Sequence, residues 1–209
     1  PFSASRAFAQ GGWDEETDIV VVGSGGAGCG AAITARALGS EVVMLEKGTY
    51  VGGTSLVSGG GMFIPNSTQM QEAGLEDPRD EALKYMARYS WPHMYNPADE
   101  KLGLTDHDYD KITAYYDTAA EAMDFIANTG AVTWTLQTIG GSVPPTLNVD
   151  YMDHFEEDIP KLGRTLCAID DNGVQGGGGL MISRYQTWAE ANGISIRLGN
   201  RVERVVLND

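Results

Sequence analysis

The stretch from Asp18 to Gly53 constrains this chain more than any other part of it. It opens on Ile19-Val20-Val21-Val22, an all-apolar run of the kind that forms a parallel strand buried on both faces. The run leads directly into Gly23, Gly25 and Gly28, spaced G-x-G-x-x-G. In a strand–turn–helix setting each glycine has its own task. The first permits the tight turn, the second lets backbone approach a pyrophosphate, and the third lets helix and strand pack closely. A helix starting here aims its free N–H groups and the positive end of its dipole at those phosphates. A second apolar strand, Val42 to Leu45, ends at Glu46, eighteen residues after Gly28. A carboxylate at that place can accept both hydroxyls of an adenosine ribose.

With 27 glycines in 209 residues, the glycine spacing alone would arise by chance. The context makes it specific: a strand before it, a helix after it, a second strand, and an acid at the right distance. The chain therefore reads as an α/β protein with a Rossmann-like dinucleotide-binding domain. Directly after Glu46 and Lys47 come two more glycine-rich loops, Gly52-Gly53-Thr54-Ser55 and Ser58-Gly59-Gly60-Gly61. A nicotinamide cofactor has no general need of them at this point. A flavin does, because its pyrophosphate and its tricyclic ring both require close backbone approach, which glycine allows without a Cβ clash.

These residues resemble the FAD-binding flavoproteins of the fumarate reductase and 3-ketosteroid dehydrogenase superfamily. The match runs G-S-G-G-A-G-x-x-x-A from Gly23 to Ala32, V-x-L-E-K ending at Lys47, then G-G-T-S and S-G-G-G. Ser58 to Asn66 is similar to the ketosteroid dehydrogenase branch, with Phe63 where that branch often has tryptophan. Asp150-Tyr151 falls where the branch carries P-D-Y, with Val149 in place of the proline, and Gly163-Arg164-Thr165 resembles its G-R-S. The resemblance implies a glutathione-reductase-type βαβ start and FAD as cofactor. It implies FAD contacts from Gly23, Gly25, Gly26, Ala27, Gly28, Glu46, Lys47, Gly52, Gly53, Thr54, Ser55, Ser58, Gly59, Gly60 and Gly61, with backbone near Val202 meeting the adenine.

It also implies the chemistry: a C=C bond introduced next to a ketone, with an α-proton removed by a base and a β-hydride taken at flavin N5. Tyr151 is the catalytic candidate, and the acid–base tyrosines are expected beyond Asp209. His154 is an alternative proton relay, although an isolated histidine in an acidic run is more often a solvated side chain. The apolar segment Met62 to Pro65 reads as a lid for a small hydrophobic cyclic ketone, with an external electron acceptor completing the cycle. Two other readings stay open: a reductase acting on an enoate such as fumarate or urocanate, and a non-catalytic FAD-binding subunit of a split enzyme.

Composition narrows the partners. Fourteen Lys plus Arg against 29 Asp plus Glu give a formal charge of −15, which argues against nucleic acid, since phosphates demand basic patches. No apolar run is long enough to span a bilayer. Cys29 and Cys167 form neither a metal spacing nor a disulfide framework. A helix dipole at Cys29 would lower its pKa, but a small buried packing residue is the simpler reading.

Residues 1–17 form a tail rich in small residues, and Ala7-Phe8-Ala9 fits a signal-peptidase site. A flavoprotein folded before export would use the twin-arginine route to the periplasm, the alternative being a cytoplasmic or membrane-associated protein. Residues 18–209 read as an FAD-binding domain that is incomplete. Val205-Val206-Leu207 before Asn208-Asp209 looks like a strand entering a hairpin, and a return strand and substrate domain are expected from a C-terminal remainder or a companion chain. Asp77-Pro78 reads as cap and first residue of a helix that ends at Trp91-Pro92. Asp106 to Asn128 carries apolar residues at helical spacing, Gly140 to Asp171 is loop-rich, and Leu180 to Ala191 is helical.

Overall fold

The computed structural model describes residues 14–139, 146–150 and 161–206. Strand β1 (Ile19–Val22), helix α1 (Gly26–Ala37) and strand β2 (Val42–Leu45) form the expected crossover unit. β1 and β2 pair in parallel with Val20 opposite Val43 and Val22 opposite Leu45. Strand β6 (Ser195–Arg197) joins the other side of β2, also in parallel, giving the order β1-β2-β6. Side chains alternate across a strand, so Val42 and Met44 enter the core beneath α1 while Val43 and Leu45 face the opposite way.

The expectation that β1 is buried on both faces does not hold among the described residues. Only Val21 is buried; Val20 and Val22 are 52% and 61% exposed. The reason lies in the layering: helices cover one face of this sheet, β1 is its edge, and no described element covers the other face.

A second sheet, antiparallel and ordered β3-β5-β4, is built from β3 (Met62–Phe63), β4 (Thr133–Leu136) and β5 (Thr165–Ile169). β5 lies inside the stretch that reads as loop-rich. Its partners come from about thirty and one hundred residues earlier, so no local pattern announces it. Helix α6 (Gly178–Ala191) packs on both α1 and β5 and so joins the two sheets through a core that includes Ile33, Met44, Leu166 and Ile182.

Three further helices complete the description: α3 (Thr68–Glu72), α4 (Arg79–Ser90) and α5 (Asp106–Asn128), with the single turn α2 (Gly53–Leu56) inside the glycine loops. Helix α5 has the limits its sequence predicts. Thr105 caps it by accepting from the Asp108 amide at 3.2 Å, and Asp106 and Asp108 place negative charge at the positive end of the dipole. Trp134 Nε1 donates to the Met123 carbonyl, tying α5 to β4, and Trp188 Nε1 donates to the Thr129 carbonyl, tying α6 to the end of α5. α4 and α5 share a separate apolar cluster around Leu83, Met86, Leu104 and Ile112.

Three expectations are corrected here. Pro78, not Asp77, caps α4, because the Asp77 carboxylate turns inward to a buried arginine. Met62 to Pro65 is not a lid: Met62 and Phe63 form β3, Phe63 stacks on Tyr85 at 5.7 Å, and Ile64 and Pro65 are buried. Residues 201–206 carry no strand, since a strand is a paired element and the described residues offer this segment no neighbour.

Candidate cofactor site

The site forms where β1, β2 and the glycine loops meet. Gly23 has a φ of +90°, a conformation that turns the chain out of β1 at little cost only for glycine, and its amide donates to the Leu45 carbonyl at 2.9 Å. Gly25 caps α1 with no side chain, leaving the first turn open to a ligand. At Gly28 a Cβ would collide with the Gly23 carbonyl oxygen, so the third glycine serves helix–strand packing as its spacing predicts.

Glu46 is buried at the end of β2, and both of its oxygens are engaged. Oε2 accepts from the Ser24 amide at 2.9 Å and from the Ser24 hydroxyl at 2.6 Å, while Oε1 accepts from the Gly48 amide at 2.6 Å. The Ser24 hydroxyl, and then the Gly48 and Ser24 amides, hold the carboxyl below its ordinary pKa against the opposing effect of burial. The Ser24 hydroxyl also accepts from the Gly52 amide at 3.0 Å.

The remaining predicted residues surround this centre. Ser55 Oγ accepts from the Gly26 amide at 3.0 Å, bringing the second loop onto the first turn of α1. Ala27, Lys47, Thr54 and Ser58 are exposed around it, and Val202 is half-buried in an irregular segment. Tyr151 and His154 lie outside the described residues.

Two features escaped the sequence reading. One is Ser24. The other is the run Gly176 to Gly179, which supports the cradle from below. The Gly178 amide donates to the Ser58 carbonyl at 3.0 Å, and a Cβ on Gly178 would collide with the Ser55 carbonyl oxygen. A Cβ on Gly60 would lie 2.5 Å from the Gly177 carbonyl carbon, and one on Gly61 2.8 Å from Gln137 Oε1. Glycine at 60 and 178, where the clash is with backbone, is therefore demanded by the protein's own packing, whereas at 61 the neighbour is the end of a flexible side chain. At Gly23, Gly53 and Gly59 a Cβ would meet no protein atom within 4 Å. Here the missing side chains leave room above the backbone, which is what a dinucleotide requires.

Burial of Cys29 pushes its thiol up to about 11, helped by the charge of Glu46, and the thiol donates to the Ser24 carbonyl. Burial alone raises Cys167 to about 11. Both are inert packing residues.

Away from the cradle sits a buried charge cluster. Arg164, with no exposed side-chain surface, bonds both oxygens of Asp77 and donates through Nη1 to Asp150 Oδ2 at 2.7 Å. Asp150 Oδ2 also accepts from the Lys161 amide, while its Oδ1 has no partner among the described residues. Burial raises the Asp150 carboxyl above its ordinary pKa despite these bonds. An open cleft of about 660 Å³ between α3 and α5, lined by Asp117, Glu121 and Asp124, includes none of the glycine-loop residues.

A strand–glycine turn–helix with a carboxylate at the second strand and an open glycine cradle defines a dinucleotide-binding domain. The model of the FAD binding domain family matches residues 18–208, and the chain belongs to that family; FAD is its cofactor. The chain is 30% identical over 162 residues to a 3-oxosteroid 1-dehydrogenase of Comamonas testosteroni, covering 78% of this chain and 24% of that protein. It is 34% identical over 125 residues to a urocanate reductase of Eggerthella lenta, covering 59% of this chain and 18% of that one. Among solved structures, the 3-ketosteroid Δ4-(5α)-dehydrogenase of Rhodococcus jostii RHA1 in complex with 4-androstene-3,17-dione shares the fold. Its TM-score is 0.67 at 24% identity, covering 97% of this chain and 42% of that one. The chain thus spans about a quarter of the matched dehydrogenase and less than half of the solved structure.

Proposed function

We propose that this chain is the cofactor-binding portion of an FAD-dependent dehydrogenase that introduces a C=C bond beside the ketone of a 3-ketosteroid-like substrate. The observation that carries this reading is the relation to a 3-oxosteroid 1-dehydrogenase along 78% of the chain. In this reading the open backbone at Gly23, Gly25, Gly53 and Gly59 and the first turn of α1 receive the pyrophosphate and the ring, and Glu46 receives the adenosine ribose. The bound flavin supplies the two-electron redox chemistry, while the protein binds, orients and polarises. Tyr151 would polarise the ketone or relay a proton, following Asp150, whose carboxylate is anchored on Arg164.

Anaerobic mixing of the full-length protein with a 3-ketosteroid tests the reading. Bleaching of the flavin absorbance is the expected result. The relation to a urocanate reductase supports the opposite direction of reaction on an enoate. If the steroid leaves the flavin oxidised while urocanate or fumarate reoxidises the reduced protein, that second reading replaces the first. Export in folded form belongs to the same proposal and is checked by locating the flavoprotein in the periplasmic fraction.

A further inference from the structure

We propose that Ser24 is a positioning residue for the cofactor: its hydroxyl locks one oxygen of Glu46, so that only the other is offered to the adenosine ribose, and couples that carboxylate to the turn at Gly52.

The argument is one of donor and acceptor capacity. A carboxylate has about four acceptor sites, two on each oxygen. Oε2 is filled by the Ser24 amide and hydroxyl, and Oε1 has taken one donor, the Gly48 amide. One acceptor site therefore remains, on Oε1, for a ribose hydroxyl. A serine hydroxyl has one hydrogen to give, and here it goes to Glu46; its lone pair receives the Gly52 amide. Ser24 has no exposed surface, so both bonds are made out of contact with solvent.

The arrangement joins three separate pieces of chain. Gly52 stands at φ +108°, and a Cβ there would lie 2.6 Å from Ile182 of α6, so this turn of the second loop is one that only glycine fits. A single hydroxyl thus links the carboxylate to the second glycine loop. The inference rests on Glu46 receiving the ribose.

The test uses the full-length protein stripped of FAD, with cofactor affinity read by flavin fluorescence quenching. Ser24→Ala removes a hydrogen bond to a charged group and is expected to weaken FAD binding by roughly ten- to a hundredfold. Ser24→Thr retains the hydroxyl and is expected to restore most of that loss. Ser24→Cys, close in size but a weak donor, is expected to fall between alanine and wild type, and it keeps the comparison available should either other variant fail to fold. In a Glu46→Ala background, Ser24→Ala is expected to add less than about threefold, since its effect passes through the carboxylate. Full additivity of the two substitutions, or wild-type affinity in Ser24→Ala or Ser24→Cys, overturns the inference. Unchanged affinity in Glu46→Ala alone would instead overturn the assignment of the ribose to Glu46.

Discussion

Arg164 spreads its guanidinium across both carboxylate oxygens of Asp77, a residue 87 positions earlier, with neither side chain exposed to solvent. The same guanidinium holds Asp150 and lies 5.1 Å from the centre of the Tyr85 ring. One cation thus ties the start of α4, the edge of β5 and the segment leading to Tyr151.

Removing that cation leaves two buried carboxylates facing each other. Arg164→Ala is expected to cost about 3–5 kcal/mol of folding stability, the cost of orphaning a buried ion-pair partner. Urea denaturation of the full-length protein reads it directly. A loss below about 0.5 kcal/mol, typical of a surface site, would mean that the cluster is not dry.

Acid should release the cofactor through Glu46. Its folded-state pKa lies below the ordinary 4.5, held there by Ser24 and Gly48, so its contribution is complete above that pH and fades as the pH falls through the lowered value. Titrating the holoprotein from neutral to acid should release FAD at low pH. Glu46→Gln should bind FAD more weakly and lose that pH dependence. A release profile unchanged in Glu46→Gln would assign the acid sensitivity to other groups.

Two glycines separate packing from ligand space. Gly28→Ala forces a Cβ into the Gly23 carbonyl and should destabilise the protein whether or not FAD is present. At Gly59 an added Cβ meets no protein atom within 4 Å. Gly59→Ala should therefore change apoprotein stability by less than about 0.5 kcal/mol while reducing FAD affinity. Melting curves with and without FAD distinguish the two. Undiminished affinity in Gly59→Ala would place the cofactor elsewhere over the loops.

Tyr151→Phe should slow flavin reduction by a confirmed ketosteroid by roughly a hundredfold, the usual contribution of a positioned proton donor, with FAD retention unchanged. Full activity would remove Tyr151 from the chemistry without touching the family assignment.

The nucleotide-binding half of the fold was legible because each part has a local cause. The apolar run of β1, the three spaced glycines, the acid closing β2 and the helical spacing of α5 all act on residues close in sequence. What escaped depends on distant partners. β5 becomes a strand by pairing with β3 and β4, and nothing in Gly163-Arg164-Thr165 reveals that its arginine will be buried against Asp77. Ser24 was hidden for another reason. It fills the unspecified place between the first two glycines of the G-x-G-x-x-G spacing, and only the geometry shows its hydroxyl meeting both Glu46 and Gly52.

The stacking of Gly60 on Gly177, and of Ser55 and Ser58 on Gly178, has a consequence for synthesis on the ribosome. The strand, turn and helix that carry the nucleotide fingerprint emerge first, yet the loops that shape the cradle close against glycines made more than a hundred residues later. A nascent chain ending before α6 would display the fingerprint without the floor beneath it. FAD is therefore expected to meet a complete cradle only once Gly176 to Gly179 have left the exit tunnel, more than a hundred residues after the fingerprint itself.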